Sequence, residues 1–326
     1  MAPKNRVWTE KYRPSTLSDV KYQDHVVSVL SRIISNKDTI NKLPHFLFSG
    51  PAGTGKTSTA NALCNDLFGK YKKQHVLELN ASDDRGIAVI RSRVKDFAIT
   101  KVVSKSSDGR QIPNFKIIIL DEVDALTTDA QSALRRVMED HAANTRFILC
   151  CNYASKLIDP ITSRCSSFVF QSLPNEYIKD HLIKLASIES MEVPPQILDT
   201  IVKRADGDCR RAVSFLQVFS IIGANFDFCE ICSLLPDNLA KEYFNKLRGA
   251  SGNHVKDFID EVVQAGYPID QMLREFFTIS IECDLPPKIK CQLLLELSNL
   301  AAQVEKGASE VLSMNYLFYL ISTLPK

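Results

Sequence analysis

Residues 45–57 read HFLFSGPAGTGKT. A short apolar run leads into a glycine-rich turn, and the turn ends in Lys-Thr ahead of a helix-like stretch, STANALCNDLF. The part at 50–57 fits G-x-x-x-x-G-K-[ST], in the strand–turn–helix setting that this motif requires. Each residue type has a physical reason. Gly53 and Gly55 let backbone N–H groups turn inward around phosphate oxygens, and the helix N-terminus adds partial positive charge. Lys56 reaches the outer phosphates of a nucleoside triphosphate, and Thr57 can ligate Mg²⁺.

Working outward, apolar runs alternate with helix-like stretches from 45 to 170. The runs are HFLFS, HVLEL, FKIIIL, RFILC and SFVF; KTSTANALCNDLF, RGIAVIRSRVKDFA and DAQSALRRVMED lie between them. Near-continuous apolar strands alternating with helices argue for a parallel sheet covered on both faces. After Leu173-Pro174 the strand signal stops. From there to Lys326 apolar residues recur at threes and fours, as in QILDTIVKRA and KCQLLLELSNLAAQV. Breaks such as VPP, LLPDN, GASGN, GYP and LPPK punctuate these helices. The expected organisation is an α/β domain over 1–173, a small helical domain over 174–233 and a helical bundle over 234–326.

A triphosphate site needs a carboxylate at the end of a neighbouring strand. KIIILDEVD supplies one: Asp121 falls at the C-terminal end of an apolar strand, where open α/β sheets bind ligands. Asp121 is expected to hold Mg²⁺, and Glu122 to orient and activate a water for attack on the γ-phosphate. The strand RFILCCNY ends at Asn152, a neutral amide able to hydrogen-bond that water or the phosphate. An asparagine after a strand is also an ordinary turn residue.

Composition excludes less than the motifs assign. The 40 basic and 38 acidic residues leave a net charge of +2, which by itself points to neither nucleic acid nor a membrane surface. No apolar run approaches the roughly 18 to 20 residues that span a bilayer, and MAPKNRVWTEKYRP lacks the apolar stretch of a secretory signal. Nine cysteines lie scattered, without a disulfide framework. Cys229 and Cys232, in CEIC, lack a second pair for a metal site and are expected to face the core at helical spacing. Total charge conceals one basic stretch: residues 70–116 hold eleven Lys or Arg against five acids, a net +6.

WTEKYRP, GPAGTGKTST, LNASDDRGI, KIIILDEVDALTTDAQSALRRVMED, CNY, SRC and GDCRRA occur in this order between Val7 and about Gln217. Together they resemble the AAA+ ATPases and, more specifically, the small subunits of replication factor C, with most similarity to the eukaryotic subunit 2 type. The resemblance implies an α/β P-loop (RecA-like AAA+) domain with a parallel sheet, then a small helical lid, then an all-α collar that carries oligomerisation. It implies an ATP-hydrolysing subunit of a nuclear heteropentamer with four related subunits, which opens the sliding clamp PCNA and loads it on primer–template DNA during replication and repair. ATP and Mg²⁺ are the implied cofactors, with no membrane partner.

Carried over position by position, the resemblance assigns ATP contacts to Thr9, Arg13, Gly50, Pro51, Ala52, Gly53, Thr54, Gly55, Lys56, Thr57, Ser58, Asn152 and Arg210. Thr9 stands where the family usually has valine, so a backbone contact is expected there. Thr57 and Asp121 would hold the metal, and Lys56, Glu122, Asn152 and Arg210 would take part in hydrolysis. Asn80 matches a switch residue that turns Glu122 away until DNA binds. Ala52 replaces a common proline and Val123 the alanine of the usual D-E-A-D run; neither change removes a ligand.

Arg164, in TSRCSSF (162–168), stands before the last strand. The AAA+ topology puts that turn at the domain edge, so Arg164 would meet the γ-phosphate bound by a neighbouring subunit. Arginine suits this, being always charged and presenting a planar fork of donors. Arg85, Arg91 and Lys95 would touch DNA phosphates, with Arg91 and Lys95 four apart on one helix; a solvated basic face stays open as the alternative. FAITKVVSKSSDG (97–109) faces the clamp by resemblance, or is merely a solvated loop. Two other functions compete: an AAA+ motor that remodels DNA junctions or loads a helicase, and a scaffold that binds ATP without hydrolysing it.

Overall fold

Alternating side chains of five parallel strands supply two separate cores. The computed structural model describes residues 7–36, 40, 42–82, 90–100, 113–223, 228–250 and 252–324, with backbone alone at 90–91 and 252–254. The strands are β1 (His45–Ser49), β2 (Val76–Asn80), β3 (Lys116–Asp121), β4 (Thr145–Cys151) and β5 (Cys165–Val169). Their order across the sheet is β2-β3-β4-β1-β5. Successive residues of a strand point to opposite faces. Phe46, Phe48, Ile117, Ile119, Ile148 and Cys150 therefore enter one buried cluster, and Leu47, Ile118, Leu120, Phe147 and Leu149 the other. Burial on both faces is why β1, β3 and β4 show no polar alternation in sequence.

The main helices are α1 (Asp24–Ser35), α2 (Lys56–Phe68), α3 (Thr128–Asp140), α4 (Asn175–Ile188), α5 (Pro195–Ala205) and α6 (Cys209–Ile222). Val26 and Leu30 of α1 and Ala60, Leu63 and Cys64 of α2 cover the first face. Ala130, Leu134, Val137 and Met138 of α3 cover the second. The Thr127 side chain caps α3 by accepting from the Ala130 N–H at 3.3 Å. Because the strands are parallel, β1, β3 and β4 all end at the same rim of the sheet, beside the N-terminus of α2.

The chain divides into two compact units, Met1–Val218 and Phe219–Lys326. The first keeps α4, α5 and the start of α6 with the sheet, for reasons visible in its contacts. The Trp8 N–H donates to Gln217 Oε1 at 3.0 Å. Glu189, which caps α4 at its C-terminus, accepts from both Lys11 Nζ and the Tyr12 hydroxyl.

The second unit holds α7 (Asp237–Leu247), α8 (Gly252–Ala265), α9 (Ile269–Glu282), α10 (Pro287–Glu305) and α11 (Glu310–Ser322). Prolines precede α7 and α9 and open α10, where no helical N–H partner is lost. Phe244, Phe276 and Phe318 are fully buried at its centre. Tyr243 packs edge-on to Phe258, and Phe258 against Phe318. Apolar side chains also remain outside: Leu295 on α10 and Val311, Leu312 and Tyr319 on α11 are exposed. Cys229 and Cys232 are half-buried rather than fully in the core. Among the described residues no helix is long and apolar enough to cross a membrane.

Candidate active site

Gly53 and Gly55 sit at φ +69° and +94°, backbone that L side chains rarely adopt. Gly55 immediately precedes α2, so the loop delivers its N–H groups at the positive end of a helix. Lys56 lies within the loop: its Nζ donates to Gly50 O at 2.8 Å, Pro51 O at 2.7 Å and Asn152 Oδ1 at 2.9 Å. Burial lowers the Lys56 ammonium below its usual value, and Asp121 and Asp124 counter that. The Thr54 hydroxyl closes the turn on Pro51 O at 2.8 Å.

The Thr57 hydroxyl donates to Asp121 Oδ2 at 2.6 Å, so α2 and β3 bring two hard oxygen donors together. Glu122 is an exposed residue at φ 55° and ψ 41°, a left-handed conformation that is uncommon outside glycine. Its N–H donates to Asp121 Oδ1 at 3.0 Å, which fixes the reversal from strand to turn. Asn80 lies opposite Asp121 in the sheet register. Its Oδ1 accepts from the Ser82 N–H and hydroxyl at 3.0 and 2.9 Å. Among the described residues the Asn80 amide is thus engaged locally, in a turn, and not on Glu122.

A cavity of about 460 Å³ opens between this loop, the N-terminal segment and helices α4 and α6. Thr9, Arg13, Gly53 to Ser58 and Arg210 line it, whereas Gly50, Pro51, Ala52 and Asn152 do not. Arg13 Nε donates to Ser58 Oγ at 3.3 Å, and its guanidinium pairs with Glu10 at 3.4 Å. Sequence reading missed Trp8, Tyr12, Tyr177, His181 and Cys209 in the lining. Tyr177 and His181 stack with an interplanar angle of 10°, one helical turn apart on α4. Burial pushes the Tyr177 phenol up to about 12, and burial and then Lys184 lower the His181 imidazole. Their i, i+4 spacing was available as a signal, but nothing local shows that this face of α4 meets the loop.

Asp208 was missed as well. Its Oδ1 accepts from the Arg210 and Arg211 N–H groups at 2.8 and 3.1 Å, capping the start of α6. The same side chain lies where a Cβ on Gly53 would stand. The Gly53 position is therefore occupied from α6, close to where Arg210 leaves the helix.

Arg164 is not among the residues that line this cavity. It is exposed, just before the edge strand β5, and its Nη2 pairs with Glu139 Oε1 of α3 at 2.5 Å. Its Nη1 donates to Pro160 O at 2.6 Å. The loop leading to it is pinned by the buried Gln131, which accepts from the Ile158 N–H and donates to Lys156 O.

The basic stretch needs correction. Lys116 is buried, donates to Phe97 O at 2.9 Å and lies over the Phe97 ring, so it adds nothing to a charged surface. Arg85 and most of the 97–109 segment lie outside the described residues. The helix expected to begin near Arg85 is described from Ile90, as a π-helical turn to Val94 that passes into an α-helical turn over Lys95–Ile99. Arg91 is placed by its backbone only, and Lys95 is exposed.

Loop, cavity size and donor set fit a nucleoside triphosphate with a divalent cation. The loop offers N–H groups and an ammonium to phosphates, and Thr57 and Asp121 offer oxygens of the kind Mg²⁺ prefers. Two family descriptions match the chain: ATPase family associated with various cellular activities (AAA), over residues 46–173, and the replication factor C C-terminal domain, over 235–319. A rice (Oryza sativa subsp. japonica) protein named replication factor C subunit 2 is 37% identical over 320 residues, covering 96% of this chain and 93% of its own. Human replication factor C subunit 4 is 37% identical over 313 residues, covering 94% and 85%. Relatives named for subunit 2 and subunit 4 thus match at one level of identity. The solved Thermotoga maritima RuvB Holliday junction branch migration motor shares the fold, with a TM-score of 0.53 over 77% of this chain and 85% of its own, at 15% identity. That likeness shows the fold alone, and the C-terminal match is to the replication factor C domain. The chain is an ATPase and belongs to the replication factor C family of clamp-loader subunits.

Proposed function

We propose that this chain is one ATP-hydrolysing member of a nuclear heteropentamer that opens the sliding clamp PCNA and places it on primer–template DNA in replication and repair. Residues 1–173 act as the ATPase domain, 174–233 as the lid and 234–326 as the collar through which subunits associate. The exposed apolar side chains of α10 and α11 support the collar assignment, because such faces mark association sites.

The observation that carries the reading is the meeting of four side chains from three elements: Lys56 on Asn152, and Thr57 on Asp121. Lys56 and the loop N–H groups bind the β- and γ-phosphates, with Arg13 and Arg210 closing on them from the N-terminal segment and from α6. Thr57 and Asp121 hold Mg²⁺, which when bound neutralises charge on the outer phosphates. Glu122, exposed at the strand end beside Asp121, orients a water and accepts its proton as the γ-phosphate is attacked. Asn152 hydrogen-bonds the water or the phosphate without adding negative charge. Asn80 acts as the switch on Glu122, a role that requires it to leave Ser82. Arg85, Arg91 and Lys95 follow the DNA backbone, contacts that position without reading sequence. Arg164 serves the ATP held by the adjacent subunit.

The test is Glu122→Gln. ATP affinity should stay within about threefold, while turnover falls on the order of 10²- to 10⁴-fold, the usual worth of a general base. Turnover at the wild-type rate would reject Glu122 as the base.

A further inference from the structure

Arg164 and Arg135 converge on a single carboxylate oxygen. Glu139 Oε1 forms an ion pair with Arg164 Nη2 at 2.5 Å and accepts a hydrogen bond from Arg135 Nε at 3.0 Å. Arg135 and Glu139 are one turn apart on α3, whereas Arg164 comes from the turn before β5. The Pro160 carbonyl holds the other end of the Arg164 fork at 2.6 Å. The Glu139 carboxyl is held below its ordinary range by the Arg135 hydrogen bond first, then by the charges of Arg135, Arg164 and Arg136.

We propose that Glu139 is a positioning residue for the arginine supplied in trans: it holds Arg164 and Arg135 as one preorganised cationic edge for the γ-phosphate of the ATP on the adjacent subunit. The inference rests on the reading of Arg164 as acting in trans. An arginine has large rotamer freedom, and a group fixed before the encounter does not lose it during the reaction. Pro160 takes one N–H from Nη1, and Glu139 stands against Nη2 as its ion partner. The guanidinium has five N–H donors, so Nε–H and one N–H on each Nη are left to face phosphate oxygens. Charge favours the same outcome. Glu139 carries one negative charge against those of Arg135 and Arg164, so the edge stays positive toward an anion. A carboxylate acting as a brake would instead neutralise what it holds.

The experiment uses the assembled clamp loader with every ATP site silenced at its P-loop lysine except the one that Arg164 faces. ATP turnover is measured with this chain as wild type, Arg164→Ala, Glu139→Ala, Glu139→Gln and the Arg164→Ala/Glu139→Ala pair. Glu139→Ala should lower kcat at that site about fivefold, equal to about 1 kcal/mol, with KM for ATP unchanged. Glu139→Gln, which keeps an acceptor oxygen, should recover part of the loss. In the Arg164→Ala background Glu139→Ala should cost nothing further. A full additional loss in that background, or a kcat unchanged or raised by Glu139→Ala alone, overturns the assignment of Glu139. If Arg164→Ala leaves turnover at that site untouched, the trans reading itself fails, and Glu139 with it.

Discussion

Two residues show how single side chains set the site and its surroundings. Glu122 adopts left-handed backbone at φ 55°, a choice costing an L-residue about 1–2 kcal/mol. The Asp121–Glu122 hydrogen bond compensates, and the reversal leaves the Glu122 carboxylate exposed while Asp121 stays on Thr57. His45, at the start of β1, accepts from the Phe147 N–H at 3.1 Å through Nδ1, which requires a neutral ring. Burial, and then Arg146, push this imidazole down to about 4 from an ordinary value near 6.5. As pH falls below 6.5 the unfolded chain binds a proton that the folded chain refuses until about 4. Stability is thus fully present above pH 6.5 and is lost across that window. Unfolding in urea at pH 7 and pH 5 should show the wild type losing about 1–2 kcal/mol more than His45→Asn. Equal losses would mean that His45 titrates alike in both states.

At the scale of elements, the phosphate loop and α6 are built against each other. A Cβ on Gly53 would stand 1.8 Å from Asp208 Oδ1 and 2.8 Å from its Cα, at a φ that already disfavours side chains. Gly53→Ala should destabilise the first unit by about 2 kcal/mol or more and weaken ATP binding at least tenfold. Thermal unfolding and nucleotide titration together check this; an alanine variant with wild-type affinity would show that the contact is dispensable. Such coupling also marks the limit of what the sequence disclosed. The loop, Asp121, Glu122 and Asn152 could be placed because strand ends and glycine spacing are local patterns. Asp208, Tyr177 and His181 could not, because each meets the loop across more than a hundred residues. Lys116 misled for a related reason: counting charges along a stretch cannot see that β3 buries its first residue.

At the scale of the whole molecule, the chain carries a complete triphosphate loop at one rim and an ion-paired, exposed arginine outside that cavity. An arginine serving its own phosphates would have to reach the cavity that Arg13 and Arg210 already line. Arg164 instead stands at the edge strand, held by Glu139 and Pro160. The strand order that makes β5 an edge was legible only through the family resemblance, since every connection there reads equally as a parallel crossover. The position of SRC before the last strand was legible, and it led to the same arginine. On the proposed reading, this subunit completes an active site other than its own. The direct measurement is ATP binding and single-turnover hydrolysis at each site of the assembled loader carrying Arg164→Ala. ATP affinity at this chain's own site should be preserved, with hydrolysis at the adjacent site slowed about 10³- to 10⁵-fold. A loss confined to this chain's own site, with the neighbour unaffected, would contradict it.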